Sequence, residues 1–210
     1  MATSSQGCFE TPPILQLSQE LIDEIIDDTV TPTKKDLMSL SLVCRAFRPR
    51  CEKHIFTSIR FSNFTVGWGT TATDRAKRIL KFLDILSRKP YIAGHVQELH
   101  LDVWGYDQEW IVEPGFLKIM DFIRQSEDGP PLKRFELDGI TGARGQKIAN
   151  PRRFAKSFCA PFITPSLSSL CIKDLYDVPL TLIADCANLK SLDIARTTFD
   201  LVDNTNTPKS

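Results

Sequence analysis

A chain of 210 residues that is 42% hydrophobic and 25% charged has the size and composition of one ordinary soluble domain or two small ones. Its 26 basic and 26 acidic residues balance, which excludes a global field for holding nucleic acid or an anionic membrane and confines any electrostatic function to local patches. Six cysteines, at positions 8, 44, 51, 159, 171 and 186, form neither a CxxC pair nor a dense framework, so reduced thiols in a cytoplasmic or nuclear protein are expected.

The first segment, MATSSQGCFETPP, has no basic start and no apolar run, so 1–13 is expected to be a disordered tail and not a secretory signal. No stretch approaches the ~18 apolar residues of a membrane span, and no membrane partner is expected. Residues 14–56 carry three short helical patterns. Leu21, Ile22, Ile25 and Ile26 form one apolar stripe behind Ser18 as N-cap. Thr33 followed by Asp36 resembles a capping box, and it opens a second helix whose Leu37, Leu40, Cys44 and Phe47 fall at steps of three and four. Pro49 restarts the chain as a third. Three short helices bury little by themselves, and such units usually need a partner or a neighbouring domain.

From Phe56 onward one motif returns: apolar, two spacers, apolar, one spacer, apolar. It occurs as Phe56, Ile59, Phe61; Val96, Leu99, Leu101; Leu132, Phe135, Leu137; Leu167, Leu170, Ile172; and Leu189, Leu192, Ile194. The central residues step by 40, 36, 35 and 22, drifting toward the leucine-rich-repeat period of about 20–29. Helical patterns fill the gaps: one from a Thr73 cap to a Pro90 stop, one through Phe116, Ile119, Met120 and Ile123, one from Asn150-Pro151 through Phe154 and Phe158, and one from Pro179 through Leu180 and Ile183. Strand followed by helix, repeated, predicts parallel strands with helices outside. The expected fold class is therefore α/β, a short helical bundle (14–56) followed by a repeat-like region (57–199), with 200–210 a disordered tail. Phe199, Leu201 and Val202 begin at most one more helix after the last strand-like segment, so the C-terminal edge is expected to be poorly closed, the alternative being that Phe199 to Val202 folds back as a sufficient cap.

The segments LSQELIDEIID and DLMSLSLVCRAFRPRCEKHIF resemble an F-box, in the F-box-like form common in fungal proteins, and the rest resembles the irregular leucine-rich-repeat region that often follows it. Leu17, Glu20, Leu21, Ile25, Ile26, Asp36, Leu37, Leu42, Val43, Cys44, Arg45 and Phe47 match the family pattern, whereas Ser18 stands where the family usually has Pro. The resemblance implies that the helical unit docks on a Skp-type adaptor, and through it a cullin, of an SCF-type ubiquitin ligase, while the solenoid of repeats selects an unknown protein substrate. It implies an adaptor surface drawn from Leu17, Ser18, Glu20, Leu21, Ile25, Leu40, Val43, Cys44 and Phe47. Relatives of this kind usually carry more repeats, so a short or truncated member is expected.

No sharper chemistry competes. Cys51 and His54 have half of a zinc spacing with no second pair nearby, so no metal is expected. Cys44, Cys171 and Cys186 sit in apolar runs without an identifiable His partner. GITGARGQK fits neither phosphate-loop spacing, GxSxG is absent, and His95 and His100 have no paired carboxylate motif, so neither a cofactor nor an enzymatic activity is expected.

Two surface features remain, each with two readings. Between Gly139 and Lys173 lie Arg144, Lys147, Arg152, Arg153, Lys156 and Lys173 with no acidic residue: either a solvated helix face and loop, or an anion-reading patch for an acidic or phosphorylated substrate built on Arg144, Arg152 and Arg153. Trp104, Tyr106 and Trp110 follow a predicted strand, either as core or as a substrate-binding rim. A substrate receptor and a repeat scaffold whose F-box is vestigial or serves another complex both fit; a nucleic-acid binder has only the basic patch behind it.

Overall fold

The computed structural model describes residues 17–28, 33–62, 72–103, 108–126, 132–139 and 146–200. The chain divides into two compact units, Met1–Ile55 and Phe56–Ser210.

In the N-terminal unit lie α1 (Gln19–Asp28) and α2 (Lys34–Val43), followed by α3 (Arg48–Thr57), which runs into the second unit. Ser18 starts α1, its hydroxyl accepting from the Leu21 amide at 3.4 Å. Thr33 and Asp36 form the expected capping box: the Thr33 hydroxyl accepts from the Asp36 amide at 3.3 Å, and the Thr33 amide donates to the Asp36 carboxylate at 3.1 Å. Cys44 is extended and ends α2, so the helical spacing of Cys44 and Phe47 is carried by a turn in which the Phe47 amide donates to the Cys44 carbonyl at 3.2 Å. Pro49 falls in the first turn of α3, where its missing N–H leaves no bond unmade. Among the described residues the unit's core is small: Ile22, Ile26, Leu37, Phe47, Cys51 and Ile55. An ion pair supplements it. Asp27 on α1 takes a bidentate contact from Arg50 and lies 2.7 Å from His54 Nε2, both on α3.

The C-terminal unit alternates strand and helix. β1 (Ser58–Phe61) precedes α4 (Ala72–Arg88) and a 3-10 turn (Pro90–His95). β2 (Glu98–Val103) precedes a 3-10 turn (Glu109–Val112) and α5 (Pro114–Gln125). β3 (Arg134–Gly139) and the short β4 (Gln146–Lys147) lead to α6 (Pro151–Phe154), which continues as a π-helix (Ala155–Ile163). β5 (Ser169–Lys173), β6 (Leu175–Tyr176), β7 (Val178–Pro179), α7 (Thr181–Ala184), β8 (Ser191–Ala195) and β9 (Phe199–Asp200) complete it.

The main sheet runs β1-β2-β3-β5-β8, every pair parallel, each strand added beside its predecessor. The recurring motif sets its register. Ile59, Leu99, Phe135, Leu170 and Leu192 form one row, and Phe61, Leu101, Leu137, Ile172 and Ile194 the next. With period-2 alternation both rows share the face that packs on the core, together with Phe116 from α5 and Phe158 from the π-helix. Phe116 sits edge-on to Phe61 at 5.1 Å and to Trp110 at 5.0 Å between centroids.

Four helix expectations need correction. Thr73 lies within α4 rather than capping it, and Phe199 belongs to β9 rather than to a helix. Pro179 does not open a helix: it is extended in β7, beside β9, and α7 is a single turn from Thr181. The helix opened by the Asn150 cap leaves α geometry at Ala155, and Pro161 within it has no N–H to give; its end is closed by the wider Thr164 to Cys159 bond, 3.0 Å.

Where strands leave the sheet the backbone is constrained. A Cβ on Gly139 would lie 2.2 Å from the Asp174 carbonyl oxygen, so only glycine allows this approach. Asp174 and Arg196, one residue past β5 and β8, are left-handed at φ 55° and 50°. Asp tolerates this region. Arg196 is fixed there by a two-point contact to Asp174, Nη2 to Oδ2 at 2.6 Å.

Candidate functional site

In the N-terminal unit the apolar stripe of α1 splits. Ile22 and Ile26 turn inward, whereas Leu17, Leu21 and Ile25, four residues apart, stand 38%, 48% and 55% exposed. On α2 only Leu37 is buried; Met38, Leu42 and Val43 are 54%, 79% and 74% exposed. Helical sequence alone presents these faces, since residues four apart align on one side. Of the expected adaptor residues, Leu17, Leu21, Ile25 and Val43 are thus surface groups, Leu40 and Cys44 are half-buried, and Phe47 is buried and belongs to the unit's core. Ser18 and Glu20 are exposed; backbone contacts and the Ser18 hydroxyl hold the Glu20 carboxyl below its ordinary range. Met38 and Leu42 were not among the expected site residues, although their spacing of four was the available signal. Gln19 Nε2 donates to the Ala46 carbonyl at 3.0 Å and so ties α1 to the turn after α2.

Of the three aromatic residues after β2, the described one is Trp110. Trp104 and Tyr106 lie outside the described residues. Trp110 is 2% exposed, stacked edge-on against Phe116, with the Arg75 guanidinium 5.0 Å from its ring centre. Its place is the core, because the 3-10 turn after β2 folds it under α5 rather than outward. Gln108, also buried, bridges to the β4 region: its Nε2 donates to the Lys147 carbonyl at 2.8 Å and its Oε1 accepts from the Ala149 amide at 2.9 Å.

The basic stretch divides as well. Arg144 lies outside the described residues, Lys147 pairs with Asp177 at 2.7 Å, and Lys173 approaches Glu136 at 3.6 Å. Arg152 and Arg153 are exposed in the first turn after Asn150, and with Lys156 they make no ion pair among the described residues. Arg153 lines a cleft together with Ile111, Val112, Ile148, Phe154 and Glu109.

The sheet face away from the core is polar. One row runs Arg60, His100, Glu136, Cys171, Asp193; the next places Asp102, Asp138 and Lys173 side by side. Glu136 gathers His100 Nδ1 at 3.1 Å with Arg134 and Lys173 at 3.6 Å, and Arg60 makes a two-point contact with the buried Asp102 at 2.9 Å. Burial, and then the neighbouring Asp102, Asp174 and Glu136, push the Asp138 carboxyl above its ordinary range. No group of His, Cys, Asp and Glu among the described residues is placed to hold a metal ion. Cys51 is buried, and His54, its half-site companion, faces Asp27. No described helix is long and apolar enough to cross a membrane.

Compared with family models, with curated proteins and with solved structures, the chain matches none.

Proposed function

We propose that this chain is the substrate-recognition subunit of an SCF-type cullin ubiquitin ligase: the N-terminal unit acts as an F-box on a Skp-type adaptor, and the C-terminal unit, taken as an irregular leucine-rich-repeat solenoid, holds the protein substrate. One observation carries the reading. Six large apolar side chains, Leu17 just before α1, Leu21 and Ile25 on it, and Met38, Leu42 and Val43 on α2, are exposed in a unit whose described core is small. Apolar patches of that kind mark surfaces that a partner covers. Helix faces docking in an apolar groove supply both the area and the anchors such a contact needs.

Co-expression with the adaptor tests this. Leu21→Asp with Ile25→Asp changes only exposed positions, so circular dichroism stays that of the wild type while adaptor recovery falls at least about tenfold, as expected for charges placed in a desolvated contact. Wild-type recovery by the folded double variant, or no adaptor recovery by the wild type, removes the ligase reading and leaves the repeat scaffold.

A further inference from the structure

We propose that the free edge of β8 is a docking site for an extended segment of another protein in which apolar residues alternate with Lys or Arg. β8 ends the main sheet, and among the described residues it pairs with β5 alone. The two ends of the sheet are finished differently. Phe61 of β1 is 4% exposed, and Leu170 and Ile172 of β5 are 1% and 0%; Leu192 and Ile194, in the same core-facing rows, are 45% and 40% exposed. The apolar ladder therefore continues to the last strand, but its cover does not.

Among the described residues the backbone of that edge is open too. Ser191 donates to the Ser168 carbonyl at 3.0 Å and Ala195 accepts from the Asp174 amide at 2.9 Å, so alternation directs the Ser191, Asp193 and Ala195 amide groups to β5 and those of Leu192 and Ile194 outward. An incoming strand bonds at Leu192 and Ile194, sets apolar side chains over theirs, and faces Asp193 between them. Asp193 is exposed, accepts from the Cys171 thiol at 3.4 Å and lies within the field of Lys173 on β5.

Charge then selects the occupant. A second copy pairing antiparallel about β8 matches Leu192 with Ile194 only when Asp193 meets Asp193, in a non-hydrogen-bonded pair with Cα atoms about 4.5 Å apart where side chains are closest. Like charges directly opposite destabilise, and an edge carboxylate is a known guard against self-pairing. A foreign strand with a cation at that position turns the same carboxylate into an attraction. Strand addition of this kind obtains affinity from main-chain bonds and specificity from alternate side chains.

The inference goes beyond the ligase reading and is testable without the adaptor; if that reading holds, the edge is one place where substrate is gripped. Anisotropy is measured on the full chain with a short labelled peptide of alternating Val and Lys, and with its Val and Glu counterpart. The Lys peptide binds about five- to tenfold more tightly, Asp193→Lys reverses the order, and amide exchange at Leu192 and Ile194 slows in the complex. Equal affinities, or exchange unchanged by the peptide, overturn the proposal. So does protection of these amides in the free protein equal to that of Leu99 and Leu101, which would mean that the chain's own end occupies the edge, or a wild-type dimer that protects them, which would make a second copy the occupant. The Leu21→Asp, Ile25→Asp variant keeps peptide binding, so failure of the adaptor contact and failure of the edge are separately visible.

Discussion

In the C-terminal unit Leu99, Leu101, Phe135 and Leu137 are fully buried, whereas in the N-terminal unit Ile25, Leu42 and Val43 stand more than half exposed, although both sets are large aliphatic or aromatic residues at regular spacing. The difference lies in what each architecture can cover. Parallel strands with helices on one face bury two rows of side chains through β2, β3 and β5, and the rows lose their cover only at β8, where Leu192 and Ile194 are exposed. Three ten-residue helices enclose only a thin core among the described residues, and a second stripe on the same helices stays exposed there. Apolar periodicity therefore reports that a face is to be covered, but not whether the cover is part of the same unit.

The largest expected effect sharpens this contrast. Phe135→Ala removes a fully buried ring that lies 5.8 Å from Phe158, between the β2 and β5 rows. A loss of about 3–5 kcal/mol is expected in urea denaturation, from lost transfer energy plus the cavity. Leu42→Ala truncates a large aliphatic side chain of the N-terminal unit and is expected to change stability by less than about 0.5 kcal/mol, because that side chain is already in water. A comparable loss in both variants would mean that the exposed stripe is covered within the free chain.

A smaller effect tests the backbone on which the C-terminal unit depends. Gly139→Ala places a methyl group 2.2 Å from the Asp174 carbonyl oxygen, a backbone atom that cannot rotate away. The strand ends must separate there, at an expected cost of about 2 kcal/mol in the same denaturation measurement. Wild-type stability would show that β3 and the left-handed turn after β5 part without strain.

Much of this was readable in the sequence. The spacing of Leu99 and Leu101, of Phe135 and Leu137, and of Leu170 and Ile172 places three parallel strands where they occur, because a two-residue alternation bounded by helical patterns has few other solutions. The Thr33 and Asp36 box and the Asn150 cap were likewise local chemistry. What failed was decided at longer range. Trp110 was indistinguishable from a rim residue until the turn after β2 folded it against Phe116. Phe47 shared the helical spacing of Leu40 and Cys44, but the chain leaves the helix at Cys44 and Phe47 reaches the core through a turn. Leu21 and Ile22 are adjacent in one apolar stripe, and only packing against the other helices assigns one to water and the other to the interior. The polar ladder around Glu136 carried no motif, since His100, Arg134 and Lys173 come from three strands and meet only through register.

The smallest predicted effect concerns how a unit with so little core is held together. Asp27 joins α1 to α3, and the hydrogen bond from Arg50 first, then that from His54, holds its carboxyl down to about 2 from an ordinary value of 3.8. A depressed carboxyl pKa means that folding favours the charged form. The stabilisation is therefore complete above pH 3.8 and is lost as pH falls through about 2, when protonation removes the acceptor charge from both partners. Asp27 is 37% exposed, so solvent screens the contact and its worth is about 0.5 kcal/mol, small against the Phe135 effect yet appreciable for a unit of this size. The C-terminal unit has a pair of the same sign, Asp174 with Arg196, so a bulk acid titration does not isolate the N-terminal contribution. Amide exchange at Ile22 and Ile26 does. In the wild type, protection at these two residues is expected to fall between pH 4 and 2 faster than at Leu99 and Leu101 once intrinsic rates are divided out. Asp27→Asn is expected to lower protection at Ile22 and Ile26 already at pH 7 and to flatten its dependence on acid, while leaving the C-terminal unit unchanged. If the variant keeps the wild-type profile at Ile22 and Ile26, the α1 to α3 contact does not hold the unit, and its few buried side chains suffice.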